Sequence, residues 1–401
     1  MRYTDQQKWN MDRSEQELSP ALHRLADADY TAGYFFVTLN VRDHHQVLST
    51  IHGRYNVSTQ TVENLEIEYT EVGKYVEQCW QQIPQFYPDV QVIANVVMPD
   101  HFHGLLYITP ESNVHLGQII KGFMIGCTHG YWDVLGLPWH EMKQTVEHGK
   151  CDPKWEEKNH RGSKRGPALF VRGYNDTIPI EKEDVETKIA YIRSNPERRI
   201  IKGNLRNQFA IVRNQHSANW TLDAIAGGLK WDYNLRTNPD ALEVALLNVQ
   251  PKLLQQDSDR TTRLFLDYVG NQSLLLKSRK LPLICHRADV NLFDRQAEAV
   301  LREARLGAVI VSAFISEKER NILKRLLDEQ LPVIEICDNG FGKRYKPYGK
   351  AFYACAEDRL LQITCWKYEY RKDYVCTRPE CMVMNELARI ITKTADDWWK
   401  Q

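Results

Sequence analysis

Residues 97–106 read VMPDHFHGLL, in which His101 and His103 flank Phe102 at the end of an apolar run. Successive side chains of a β-strand point to opposite faces, so this spacing puts both imidazoles on one face and Phe102 on the other. Two adjacent imidazoles make half of a divalent-metal site. The same pattern also fits two surface histidines on an edge strand, and a second segment is needed to decide between these interpretations.

That second segment is KIAYIRSNP at 188–196, within a helix predicted over 181–195 that ends near Pro196. Tyr191 and Asn195 are four positions apart and therefore share one helical face. Asn195 can supply an amide oxygen as a third metal ligand, and Tyr191 would lie one turn from the metal as a nucleophile for phosphoryl transfer. The competing interpretation is that Tyr191 packs its ring on the sheet and Asn195 caps the helix.

Four segments, taken together, resemble the single-tyrosine HUH transposases of the IS200-like group, and most closely the branch associated with repetitive extragenic palindromes. In the family's order they are YFFVTLN at 34–40, MPDHFHG at 98–104, FVRGYND at 170–176 and YIRSNP at 191–196. The resemblance covers about residues 20–215. It implies an α+β fold, a ferredoxin-like antiparallel sheet with helices, in which His101, His103 and Asn195 hold the metal and Tyr191 is the nucleophile.

The chain departs from this family's pattern in two places. Asp100 stands where the family commonly has asparagine, which leaves open whether the added charge changes metal affinity. The stretch between His103 and Tyr191 is longer than in compact members. We interpret the surplus, at about 130–168, as an insertion rich in charged and aromatic residues.

The activity implied by the resemblance is metal-dependent cleavage and strand transfer of single-stranded DNA through a 5′-phosphotyrosine intermediate. The DNA would be a hairpin or palindromic site, the metal Mg²⁺ or Mn²⁺, and the protein a monomer or a homodimer. One alternative is a domesticated single-stranded DNA-binding or nucleotide-binding protein that has no strand-transfer activity. The fused second half of the chain is the feature that motivates this alternative.

Charge distribution limits where DNA could bind. Lysine and arginine number 52 and aspartate and glutamate number 52, which argues against a uniformly basic surface and leaves room for local basic patches. Contacts to the DNA backbone are predicted from residues close to the proposed chemistry, namely Arg172, Lys188, Arg193, Arg198 and Arg199. The alternative is that these charges form an ordinary solvated face.

Cellular location is predicted from the absence of export and membrane signals. No apolar run reaches the roughly 18–20 residues that span a bilayer, and the N-terminus is polar. The nine cysteines are scattered without a Cys-x-x-Cys pair, as suits reduced thiols. The sequence therefore predicts a cytoplasmic protein without a membrane partner.

Hydrophobic periodicity predicts the elements of the first half of the chain. Apolar, β-branched runs at 33–40, 90–98 and 102–108 predict strands, and helical spacing predicts helices over 60–83 and 115–128. This order favours a small antiparallel sheet covered by helices. The catalytic domain is accordingly predicted over 20–215.

The remainder of the chain is predicted to be a helical connector over 216–262, with a helix over 239–254, followed by a Rossmann-like α/β domain over 263–401. The domain assignment rests on alternation, with strands predicted at 281–285, 308–312 and 331–337 and helices at 294–306 and 317–330. Strands that alternate with helices indicate βαβ units and a parallel sheet.

A ligand of such a sheet binds beyond the carboxyl ends of its strands, which makes Ser312, Ser316 and Gly340 candidate nucleotide-binding residues. The segments VIVSAFISE at 309–317, PVI at 332–334 and NGF at 339–341 resemble the core of DNA-processing protein A. That resemblance implies single-stranded DNA or nucleotide binding. The alternative is a docking or dimerisation module, and a third possibility for the whole chain is a nucleotide sensor.

Overall fold

The computed structural model describes residues 29–137, 167–179, 182–217, 219–229, 253–256, 262–343, 345–369 and 376–400. These residues fall into a first unit within Gln16–Asn204 and a second unit within Leu205–Gln401. Both units mix strands and helices. No helix in the described part of the chain has the length and apolar character that crossing a membrane requires.

The first unit is an antiparallel sheet with helices. Its strands are β1 (Gly33–Asn40), β2 (Ser49–Asn56), β3 (Thr61–Tyr69), β4 (Val90–Val97), β5 (His101–Ile108) and β6 (Asn175–Thr177). Its helices are α1 (Glu71–Gln81), α2 (Ile83–Phe86), α3 (Leu116–Val134) and α4 (Lys182–Asn204). The main sheet has the order β4-β5-β1-β6, and β2 and β3 form a separate hairpin that contacts α4. The predicted antiparallel sheet covered by helices is confirmed.

The two faces of the main sheet differ in chemistry because alternate residues face opposite sides. On one face, Phe102 of β5 joins an apolar core with Trp80 of α1 and Phe123 of α3. The other face carries the two histidines and is covered by α4, which contacts β4 and β5. The sheet therefore separates the apolar core of the unit from the face that carries the histidine pair.

One helix prediction for the first unit is wrong in its first half. The stretch 60–83 contains strand β3 before helix α1 begins at Glu71. Within β3 the stretch LEIEY at 65–69 alternates with a period of two, which suits pairing with β2. Thr70 then caps the helix by accepting a hydrogen bond from the Gly73 amide. A short apolar repeat can fit either the helical period of 3.6 residues or the strand period of two. Pairing with β2 makes residues 61–69 a strand.

The predicted end of the tyrosine helix near Pro196 is also wrong. Helix α4 continues through Pro196 to Asn204. A proline inside a helix removes one backbone hydrogen bond and costs about 3 kcal/mol. Contacts beyond the proline offset that cost, because Ile201 is buried and α4 packs along the β2–β3 hairpin.

The second unit is built around a six-stranded sheet. Its strands are β7 (Val212–Gln215), β8 (Leu253–Gln256), β9 (Thr262–Leu264), β10 (Leu266–Gly270), β11 (Lys280–Pro282), β12 (Val309–Ser312), β13 (Val333–Ile336) and β14 (Leu360–Thr364). Its helices are α5 (Leu222–Leu229), α6 (Phe293–Arg305), α7 (Glu317–Asp328), α8 (Gly349–Ala356) and α9 (Arg378–Thr392). The sheet order is β11-β12-β13-β14-β10-β7, while β8 and β9 pair separately.

The strands from β11 to β14 are parallel and lie in chain order, whereas β10 and β7 complete the sheet in antiparallel pairing. This agrees with the predicted alternation of strands and helices. A doubly wound sheet has a point where the strand order reverses, and ligands bind at that point. The order does not reverse between β11 and β14, so the Rossmann-like assignment stays a prediction.

The segment between the two units differs from the predicted connector. Strand β7 pairs with β10, and α5 places Ile225 and Leu229 in the main core of the second unit, although the sequence predicts a boundary at 215 and a connector over 216–262. The predicted helix over 239–254 lies outside the described residues except for Leu253 and Leu254 in β8. Most of the predicted insertion, 138–166, also lies outside them.

Candidate active site

The histidine pair lies on β5 beside β1, in the middle of the main sheet. Register pairs Thr38 with His103 and Asn40 with His101 across the two strands. The two imidazole rings are 4.7 Å apart between centroids, on the face opposite Phe102. The strand spacing read from the sequence therefore brings the two rings together as predicted.

Each imidazole is held through its Nδ1 atom. Thr38 Oγ1 lies 2.7 Å from Nδ1 of His103, and Asp100 Oδ1 lies 2.8 Å from Nδ1 of His101. An imidazole whose Nδ1–H donates to an oxygen keeps the lone pair of its Nε2 for a metal, and such partners fix the ring orientation. With Nδ1 as the protonated nitrogen of each ring, both Nε2 atoms would keep a lone pair that could bind a metal.

Tyr191 of α4 packs against this pair. Its ring centroid is 5.3 Å from that of His103 and 5.9 Å from that of Phe36. Burial raises the pKa of the phenol above its ordinary value, although the charge of Arg198 and a hydrogen bond with Asn195 act in the opposite direction. The phenol is therefore neutral at neutral pH. The predicted nucleophile and the predicted third ligand touch one another, one turn apart on α4.

Two of the cations predicted to bind DNA are buried beside Tyr191. The Lys188 ammonium lies 5.0 Å from the Phe36 ring centroid, and the Arg198 guanidinium carbon lies 5.5 Å from that of Tyr191. Lys188 and Arg198 are each 8% exposed. Both cations therefore lie against the aromatic rings around Tyr191 rather than on the outer surface.

The other three predicted DNA-binding residues have different surroundings. Arg172 and Arg193 are exposed, as backbone contacts require. Arg199 is half-buried, and its Nη1 donates to Oδ1 of Asp100 at 3.1 Å. Burial of Asp100 favours its neutral form, yet the hydrogen bond and charge of His101 and the charge of Arg199 outweigh it and lower the pKa of Asp100 to about 2.

The donor set suits a divalent metal with an amide ligand. In the described part of the chain, no three histidine, cysteine, aspartate or glutamate side chains are arranged to hold a metal ion. The imidazole pair needs a further donor, and Asn195 is buried next to Tyr191 on the helix that covers the pair. Amide oxygen suits Mg²⁺ and Mn²⁺, whereas imidazole suits Zn²⁺, Fe²⁺, Ni²⁺ and Cu²⁺, so this mixed set admits several divalent ions. The residues therefore fit such an ion, with His101, His103 and Asn195 as its proposed ligands.

The three candidate nucleotide-binding residues of the second unit each have a role in stabilising the fold. Ser312 is buried and accepts a hydrogen bond from the Phe314 amide, and Ser316 caps α7 in a capping box with Glu319. A Cβ on Gly340 would clash with the backbone at Tyr368, so alanine at this position would disturb the fold before it tested any ligand. The structure does not bring these three residues into a defined ligand site.

Thr38 is a site residue that the sequence analysis missed. It is a buried polar residue within the apolar strand β1, next to His103. A lone hydroxyl in such a strand indicates a buried hydrogen-bond partner, because an unpaired buried hydroxyl is unfavourable. That signal is visible in the sequence FFVTLN, but the identity of the partner requires the register of β1 against β5.

Comparison with known proteins gives limited similarity. No protein-family model matches the chain. An uncharacterized protein of Haemophilus influenzae (strain ATCC 51907 / DSM 11121 / KW20 / Rd) is 30% identical over 89 residues, which are 22% of this chain and 43% of that protein. The chain thus matches less than half the length of this relative.

Two solved structures resemble the chain in part. One is a REP-associated tyrosine transposase bound to a REP hairpin, with a TM-score of 0.26, 15% identity, and coverage of 44% of this chain and 74% of that one. The other is a protein of Deinococcus radiodurans R1 assigned as a transposase, with a TM-score of 0.23, 15% identity, and coverage of 43% and 95%. Both similarities span less than half of this chain.

Proposed function

We propose that the first unit is a metal-dependent enzyme that cleaves single-stranded DNA and transfers the cut strand through a tyrosine. The observation that supports this proposal is the ring contact of Tyr191 with His103, made while Tyr191 is hydrogen-bonded to Asn195 on the same helix. His103 and Tyr191 are almost 90 positions apart in the sequence, and the two motifs that contain them are the ones that carry the family resemblance. The competing interpretation, in which Tyr191 only packs on the sheet, gives no reason for oriented imidazoles beneath it.

In the proposed reaction the Tyr191 oxygen attacks the scissile phosphorus in line with the leaving 3′-oxygen. A Tyr–O–P bond forms, the P–O3′ bond breaks, the phenol proton is lost to solvent, and the released 3′-oxygen gains a proton. The metal, when bound, polarises the phosphate oxygens. A later attack by another 3′-hydroxyl would reverse the step and join the 5′ end to a new strand. No ATP is needed because the phosphotyrosine conserves the energy of the broken bond.

The surroundings of Tyr191 suit this step. The Asn195 amide, by donating an N–H to the phenol oxygen, would keep its carbonyl oxygen for a metal. The buried charges of Lys188 and Arg198 would offset the negative charge that gathers on the phosphate during attack, and their burial reduces the solvent screening of that effect. Exposed Arg172 and Arg193 are the proposed contacts to the DNA backbone outside the site.

A covalent-adduct assay tests the proposal. Full-length protein, labelled single-stranded hairpins and Mn²⁺ are incubated together and separated on a denaturing gel. We expect a protein–DNA band that requires Mn²⁺ and disappears with a chelator. A library of hairpins is needed, because the target sequence depends on contacts from loops.

Hairpin binding without any adduct, in the same protein and with Mn²⁺ present, would contradict the proposed reaction. It would favour the alternative of a DNA-binding protein that lacks strand transfer. Binding measured without metal separates the two outcomes, since the alternative predicts binding that survives removal of the ion.

A further inference from the structure

We propose that Asp100 and Arg199 form an ion pair that positions α4 over the histidine pair, so that Arg199 is a positioning residue rather than a DNA contact. We call this interaction the Asp100–Arg199 latch. Its role in catalysis rests on the proposed function, but its effect on the position of α4 does not.

The latch joins the strand of the histidines to the helix of the tyrosine through one oxygen atom. Oδ1 of Asp100 accepts from His101 Nδ1 at 2.8 Å and from Arg199 Nη1 at 3.1 Å. The side chains of His101, Asp100 and Arg199 are only 21%, 22% and 31% exposed. Partial burial weakens solvent screening, so a pair in this position contributes more than a fully exposed one.

The spacing along α4 explains how the latch can act on the site. Tyr191, Asn195 and Arg199 follow one another at intervals of four, so they occupy neighbouring positions on one side of the helix. Arg199 lies about 12 Å from Tyr191 along the axis, at 1.5 Å per residue. Pro196 lies between them and removes one backbone hydrogen bond, so contacts with the sheet help to set the angle of the helix segment that carries Tyr191 and Asn195.

The latch depends on Asp100, which stands where the family that this chain resembles commonly has asparagine. A carboxylate makes charge-assisted hydrogen bonds to His101 and Arg199, whereas an asparagine amide at position 100 would make weaker, neutral ones. The negative charge of Asp100 also offsets the positive charge of Arg199. An arginine neutralised in this way releases few counterions on binding DNA, unlike an exposed arginine.

Four single variants of the full chain and one double variant test the latch. Asp100→Asn and Arg199→Gln remove the ion pair, and their combination completes a double-mutant cycle. Arg199→Lys keeps the charge, and its ammonium can replace the single hydrogen bond from Nη1. Arg193→Ala is the matched control, because Arg193 is exposed on the same helix and is a proposed DNA contact.

The first readout is amide hydrogen exchange of α4 in the protein without metal or DNA. We expect faster exchange in Asp100→Asn and Arg199→Gln, no further increase in the double variant, and recovery in Arg199→Lys. Such non-additivity is the signature of two groups that act through one contact. Unchanged exchange in both single variants would overturn the latch, whether or not the protein has any nuclease activity.

The second readout is the salt dependence of hairpin binding without metal. We expect Arg193→Ala to lower the slope of log affinity against log salt by about 1, as for the loss of one phosphate contact, and Arg199→Gln to leave the slope unchanged. An equal loss of slope in both variants would make Arg199 a DNA contact and overturn its assignment as a positioning residue.

The third readout is the affinity for Mn²⁺, measured by the EPR signal of the free ion. We expect about a tenfold loss in Asp100→Asn and in Arg199→Gln, as is usual when a partner that orients a metal ligand is removed. If the unmodified protein binds no Mn²⁺ and forms no adduct, the proposed function fails. The hydrogen-exchange experiment would still show whether the latch holds α4 in position.

Discussion

Replacement of Tyr191 by phenylalanine is expected to abolish the covalent protein–DNA adduct and to leave hairpin binding within about twofold of the unmodified protein. The ring keeps its contacts with His103 and Phe36, so the fold is retained. Only the hydroxyl that forms the bond to phosphorus is lost. Removal of a nucleophile lowers rates by orders of magnitude, about 10⁶-fold in kcat for a serine protease nucleophile. The measurement is the adduct band on a denaturing gel, quantified against binding of the same hairpin.

Tyr107→Phe is the matched control for this variant. Tyr107 is on the same strand as the histidines, six positions and therefore about 20 Å beyond His101, and its ring packs on Tyr34 at the opposite end of the β1–β5 pair. We expect normal adduct formation in this control. An adduct that persists in Tyr191→Phe would move the nucleophile to another residue, and peptide mapping of the DNA-linked fragment would identify it.

The histidine pair could be predicted from sequence because the rule that places it is local. A strand fixes which side chains share a face, so the spacing of His101 and His103 is enough to put both rings together. The one-turn spacing of Tyr191 and Asn195 is also local. Their convergence on one site depends on the packing of α4 on the sheet, and only the family resemblance indicated it in advance.

The partners that orient the site could not be assigned from sequence because they depend on long-range register. Thr38 faces His103 through the pairing of β1 with β5, and Arg199 reaches Asp100 only because α4 continues past Pro196. A local rule ends the helix at that proline. Tertiary packing offsets the preference of proline to end a helix. The helical residues beyond Pro196 include Arg199, which pairs with Asp100 beside the histidines.

The sequence predicts the helices and strands of the second unit well where they are short and have a strong hydrophobic pattern. Alternating strands and helices between 281 and 337 are recovered within a few residues, because buried parallel strands are continuous apolar runs and α7 carries a capping box. The strand β7 was missed. Its four residues, Val212–Gln215, are mostly polar, and pairing with β10 rather than periodicity defines them.

Replacement of Gly104 by alanine is expected to destabilise the first unit strongly. Gly104 follows the second histidine in β5, and an added Cβ would lie well inside 3.0 Å of three atoms of the Trp80 ring. Trp80 is fully buried between Phe102 and Phe123, so the ring has little room to move. Overpacking of a core typically costs about 1–3 kcal/mol, which corresponds to about 2–4 °C in Tm per kcal/mol for a unit of this size. Calorimetry of the full chain measures the loss.

Two variants separate a clash with the ring from a general effect of removing glycine. Gly203→Ala in α4 has open space around the new Cβ, and we expect it to be neutral or to stabilise by up to about 1 kcal/mol. Trp80→Phe shortens the ring, so its combination with Gly104→Ala should be less destabilising than the sum of the two single changes. Simple additivity would contradict the proposed clash. The glycine after the histidines is therefore explained by the core on the opposite face of β5, whose packing against Trp80 holds the strand that carries both imidazoles.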